Sequence, residues 1–95
     1  SLSRPYAYCL RVSGDSMIED GILDGDIIIV DQDRPPREGD VVVALLEDET
    51  TVKRYYRSGN MIELRPANAS LASMYYPAGR VRLQGVVVGL QRTMG

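Results

Sequence analysis

The chain has 95 residues, 44% of them hydrophobic and 25% charged, with a formal net charge of −2. That length allows one domain around one small core, and the charge argues against a nucleic-acid surface, which needs a clustered basic face. No apolar run approaches the ~20 residues of a membrane span, and one cysteine makes no internal disulfide, so no membrane contact and a reducing compartment are expected.

Ser1-Leu2-Ser3-Arg4-Pro5 lacks the apolar stretch of a signal peptide, and the chain does not begin with Met, so a piece of a longer protein is expected. Residues 8–12 read as a first strand. Gly14-Asp15-Ser16-Met17 reads as a turn into a short helical stretch near Ile18, ended by Gly21 and Asp24-Gly25-Asp26. Residues 27–31 are apolar, β-branched and bounded by turns, the signature of a buried strand. Residues 33–40 contain Pro35-Pro36 and form a loop, because proline fixes φ and removes a donor. Residues 41–46 make a strand, Glu47-Asp48-Glu49 turns the chain, and residues 50–56 return as the hairpin partner. Ser58-Gly59-Asn60 turns into a strand at 61–65, and residues 66–70 form a loop. A long final strand over 80–90 is interrupted by Gly85 and Gly89, where bulges or close backbone approach are expected. Seven or so short strands and one short helix predict a mainly β domain of coiled sheets over residues 1–95.

The chain contains no histidine, so a Ser-His-Asp triad is impossible and Cys9 cannot act through a Cys-His pair. A serine nucleophile here needs a lysine or a carboxylate as its base. Ser16, in a Gly-flanked turn opening a helix, can present Oγ beside free backbone N–H groups of Asp15 and Ser16, the makings of an oxyanion hole. Lys53 lies in a strand whose alternation puts Thr51, Lys53 and Tyr55 on one face, with Thr51 placed to bond the amine, and Arg54 on the other face toward water. Burial lowers a lysine pKa and so makes a base of it. Both residues have a plainer reading. Ser16-Met17-Ile18-Glu19 fits the S-x-x-E capping box, so Ser16 can simply cap a helix. A lysine in a strand is ordinarily solvated.

Taken together, Arg11-Val12-Ser13-Gly14-Asp15-Ser16-Met17, Gly21-Ile22-Leu23-Asp24-Gly25-Asp26, Gly39-Asp40-Val41, Thr51-Val52-Lys53-Arg54, Leu64-Arg65-Pro66-Ala67-Asn68 and Gly85-Val86-Val87-Val88-Gly89 resemble, in order, the catalytic half of LexA repressors and UmuD-type SOS proteins. The resemblance implies a LexA/signal-peptidase-like fold with Ser16 as nucleophile and Lys53 as general base. It also implies lysine support from Thr51 and oxyanion donors in the amides of Asp15 and Ser16. Further implications are self-cleavage of a small-residue–Gly bond, stimulation by a RecA–single-stranded DNA filament, and a bacterial cytoplasmic location. Homodimerisation through the C-terminal strand, at Val86, Val87, Val88 and Leu90, follows from the same resemblance; ordinary core is the alternative for that strand. The family's DNA-binding domain and cleavage loop lie upstream of Ser1, so cleavage by this chain is expected in trans at most. A UmuD-type polymerase subunit, a phage-type repressor module that dimerises with little peptidase activity, and a signal-peptidase-like enzyme remain as rival readings.

Other features read as structural. Ala78-Gly79 resembles a scissile bond but sits in a turn before the last strand. Asp20, Asp24 and Asp26 lack metal-ligand spacing, no cofactor is implied, and the Asp-Gly pairs are turn chemistry. Alternation puts one tyrosine of Tyr55-Tyr56 and one of Tyr75-Tyr76 inward. Cys9 reads as a small buried apolar residue.

Overall fold

A computed structural model describes residues 7–93; the signal-peptide reading of Ser1 to Pro5 lies outside them. The elements are β1 (Ala7–Arg11), a one-turn 3₁₀ helix (Ile18–Asp20), β2 (Ile27–Asp31), β3 (Val41–Leu46), β4 (Glu49–Ser58), β5 (Met61–Arg65), β6 (Met74–Pro77), a second 3₁₀ turn (Ala78–Arg80) and β7 (Val81–Gln91). The strands form a single sheet in the order β1-β2-β7-β3-β4-β5-β6, antiparallel throughout. The domain is mainly β, as its β-branched runs require.

Strand β6 was not among the expected elements. It is four residues long and ends in Pro77, a weak signal that only an edge position tolerates, because an edge strand leaves one row of donors unpaired. The helix at Ile18 stops after one turn because Gly21 takes the left-handed conformation, φ 75°, and its N–H returns to Ile18 O.

The sheet is bent by bulges in β7. The β2–β7 register shifts between Ile29 and Val30, opposite Gly89 and Val87, and the β3–β7 register shifts between Val43 and Ala44, opposite Gly85 and Leu83. Both expected glycine irregularities therefore fall beside a bulge. At Gly85 a Cβ would lie 2.6 Å from Val30 Cγ1 and 2.8 Å from Asp31 O, so only glycine lets β7 cross there.

Bulges increase twist, and the coiled sheet encloses an apolar cluster on each face. Val12, Met17, Ile22, Ile28, Val30, Val43 and Val52 form one; Val42, Ala44, Tyr55, Ile62, Leu64 and Val86 form the other. Strand β3 serves both by alternation. The same parity corrects the reading of Cys9. Tyr8 and Leu10 pack against the first cluster, so Cys9 between them points away and is exposed. The tyrosine pairs divide as alternation requires: Tyr55 is buried and Tyr76 packs against the second cluster, while Tyr75 is exposed. Among the described residues no helix is long and apolar enough to cross a membrane.

Candidate active site

The turn carrying Ser16 is shaped by its carboxylates. Gly14 takes φ 85° and donates its N–H to Asp24 Oδ1 at 2.8 Å. Asp26 accepts the Leu23 N–H at 2.7 Å and is buried against Arg92, 2.7 Å away. The Arg92 hydrogen bond, then that of the Leu23 amide, hold the Asp26 carboxyl down at about 2. Asp24 and Asp26 thus do the turn chemistry expected of them. Among the described residues no group of His, Cys, Asp and Glu side chains is placed to hold a metal ion.

Ser16 does not cap the helix. The 3₁₀ turn has no side-chain cap, and Glu19 accepts the Ala69 N–H at 2.7 Å instead of reaching back to Ser16. The capping-box reading fails because one 3₁₀ turn does not set the N3 geometry that the box needs. Ser16 Oγ instead lies 3.1 Å from Lys53 Nζ, and Nζ lies 2.5 Å from Thr51 Oγ1. Residues 37 apart in the chain are thereby brought into direct contact. Lys53 is half-buried; burial pushes its pKa below the ordinary lysine value, and the charge of Glu49 pulls it partly back.

A second loop clamps the Ser16 turn. Met17, 1% exposed, anchors it in the first apolar cluster and takes the Ala67 N–H on Sδ. Glu19 N donates to Ala67 O at 2.8 Å, and Asn68 Nδ2 donates to Asp15 O at 2.9 Å. In a trans peptide C=O and N–H point in opposite directions. Turning the Asp15 carbonyl toward Asn68 therefore turns the Ser16 N–H away from that loop. Among the described residues, neither the Asp15 nor the Ser16 amide has a hydrogen-bond acceptor.

Ser16, Glu49, Thr51 and Lys53 line two adjoining clefts of about 440 and 340 Å³. Leu46, Pro66, Leu71, Met74 and Tyr76 give the larger an apolar wall; Leu10 and Val12 help to line the other. Beside the clefts β4 has a bare edge. It pairs with β3 over residues 49–54, but with β5 only from Arg54 onward. Among the described residues the other edge of 49–53 carries no strand.

The profile of the family described as Peptidase S24-like matches residues 2–88. The chain belongs to the Peptidase S24-like family. It is 42% identical over 87 residues to a LexA repressor of Thermotoga petrophila, covering 92% of this chain and 44% of that protein. It is 49% identical over 86 residues to a LexA repressor of Zymomonas mobilis (90% and 40%) and 51% identical over 87 residues to one of Cereibacter sphaeroides (90% and 38%). The chain thus spans about two fifths of the length of the curated relatives it matches.

Within this S24-like domain some placements were not legible in the sequence. Asn68 carried a motif match but no role, and a lone Asn in a loop gives no sign of its partner. Arg54 faces water as expected only in part: its half-exposed side chain also pairs with Asp20 at 2.8 Å and donates to the Gly39 carbonyl. Alternation chose its face correctly, but the bent sheet brings the 3₁₀ turn over that face. Ala78-Gly79 lies in the second 3₁₀ turn, where Ala78 N donates to Asn60 O at 2.8 Å, consistent with a plain turn.

Proposed function

We propose that this domain is a Ser-Lys peptidase of the LexA type. The observation that carries the proposal is the 3.1 Å approach of Lys53 Nζ to Ser16 Oγ where the two clefts meet. Neutral Lys53 takes the Ser16 proton as Oγ attacks the carbonyl of a small-residue–Gly bond. The amides of Asp15 and Ser16 hold the oxyanion. Lys53 then passes the proton to the leaving amine, and a water activated by the same amine releases the acyl group from Ser16. Thr51 fixes the rotamer of Lys53 throughout. The substrate lies extended along the clefts, where the bare edge of β4 offers backbone pairing.

The substrate bond belongs to the N-terminal linker of the parent repressor of the SOS response, and a RecA filament favours its docking. The 95 residues form the peptidase and dimerisation domain of that bacterial cytoplasmic repressor, whose DNA contacts lie in another part of the protein. The dimer forms through β7, where Val88 and Leu90 are exposed and Val86 and Val87 pack inward.

The test is cleavage in trans. The chain is mixed with a full-length parent whose own nucleophile is Ala, at alkaline pH and, separately, with RecA filament at neutral pH. Cleavage at a small-residue–Gly bond that disappears in both Ser16→Ala and Lys53→Ala is expected. Cleavage persisting in either variant removes the dyad, and no cleavage by a folded, dimeric chain favours the dimerisation module.

A further inference from the structure

We infer that Asp20 and Arg54 form a positioning pair that sets the separation of Ser16 and Lys53. The inference rests on the Ser-Lys reading and adds to it two residues which do not touch the reacting atoms.

The two residues flank the dyad. Asp20 closes the 3₁₀ turn that follows Ser16, and Arg54 is the strand neighbour of Lys53. Arg54 Nη2 donates to Asp20 Oδ1 at 2.9 Å, and Nε lies 2.8 Å from Oδ2. Oδ2 is buried and has no aligned hydrogen bond, so Arg54 Nε beside it is the polar group that offsets its burial. Arg54 Nη1 also donates to Gly39 O, in the loop entering β3, and Gly39 N donates to Tyr55 O at 2.7 Å. One guanidinium therefore ties together the nucleophile segment, the entry to β3 and the strand of the base. Its fork suits this, because several donors are held in one plane.

Arg54 sits where β4 changes partners, pairing with both Val41 of β3 and Arg65 of β5. A shift there moves Lys53 directly. The other polar bonds to the Ser16 turn and the 3₁₀ turn after it run to residues 67–69, to Asp24 and to Arg92, not to β4. Among the described residues, the dyad contact and the Asp20–Arg54 pair are the polar links between the nucleophile segment and β4. Strand alternation places the guanidinium on the face opposite Nζ. The pair thus acts on distance more than on the lysine's charge.

The test is the rate at which a serine-directed fluorophosphonate labels the folded chain, read by intact mass across pH. Asp20→Asn and Arg54→Gln are each expected to lower the plateau rate roughly 10- to 100-fold, the scale of a small misplacement of reacting groups, while the pH midpoint stays in place. The double variant should lose no more than the worse single, because each breaks the same link. Arg54→Lys, which keeps the charge without the fork, should fall between. Wild-type rates in both singles, additive losses in the double, or losses matched by a falling folded fraction in near-UV circular dichroism each overturn the inference. Labelling that survives Ser16→Ala overturns the Ser-Lys reading itself, and so separates the two failures.

Discussion

Asn68→Ala isolates the clamp on the Ser16 turn. Asn68 is 8% exposed and its side chain makes three hydrogen bonds: Nδ2 to Asp15 O, and Oδ1 from the N–H and the hydroxyl of Ser70. Each net bond contributes about 1 kcal/mol, but Ser70 is exposed and water replaces part of its two, which leaves a loss of about 2 kcal/mol. In a domain of this size 1 kcal/mol moves Tm by about 4–8 °C, so Tm should fall by about 8–16 °C. A chain of 95 residues has roughly 5–14 kcal/mol of stability, so the variant remains folded at 25 °C. Asn68→Asp is the sharper perturbation. It keeps the acceptor for Ser70, loses the donor toward Asp15, and sets a carboxylate against the Asp15 carbonyl. The turn then swings, and a misplacement approaching 1 Å costs up to about 100-fold in rate. The assay is trans-cleavage at 25 °C by each variant beside a thermal melt of the same sample. Asn68→Asp cleaving within twofold of wild type would refute the clamp, whatever happens to Tm.

Further expectations concern the titrating groups and the close crossing of β7. Lys53 loses its proton below the ordinary 10.5 because burial disfavours the ammonium, with Glu49 opposing. Cleavage should therefore rise with pH through the Lys53 transition, and Glu49→Gln should move that transition to lower pH; an unmoved profile counts against Lys53 as the base. The folded chain also sheds this proton before the unfolded chain does, so stability rises with pH in the window ending at 10.5, and Lys53→Met should flatten that rise in a pH series of melts. The Asp26 carboxyl, at about 2 instead of 3.8, contributes stability that is complete above 3.8 and lost as pH falls toward 2. Arg92→Gln should lower Tm at neutral pH, with the deficit shrinking between 3.8 and 2; a constant deficit would show that Arg92 does not act through Asp26. Gly85→Ala forces a Cβ to 2.6 Å from Val30 and should cost about 1–3 kcal/mol in chemical denaturation; an unchanged midpoint would mean that β7 can move away from β2.

Much of this molecule follows from local chemistry. The β-branched runs and Gly/Pro/Asp turns marked six of its strands, because strand alternation and turn conformations depend on residues within a few positions of one another. Missing histidine left lysine and carboxylate as the candidate bases for any serine nucleophile before any fold was known. The motif series picked out Ser16, Thr51 and Lys53. What the chain did not reveal was every pairing that depends on how sharply the sheet bends. Cys9 turned outward because the core lies on the side of Tyr8 and Leu10. Ser16 left its helix cap because a single 3₁₀ turn has no place for the box. Asp20 met Arg54, and Asn68 met Asp15, across 34 and 53 residues. Local sequence sets which backbone shape each segment prefers and which side of a strand a residue takes. Only the packed sheet, coiled by its bulges around two cores, decides which distant side chains come within 3 Å.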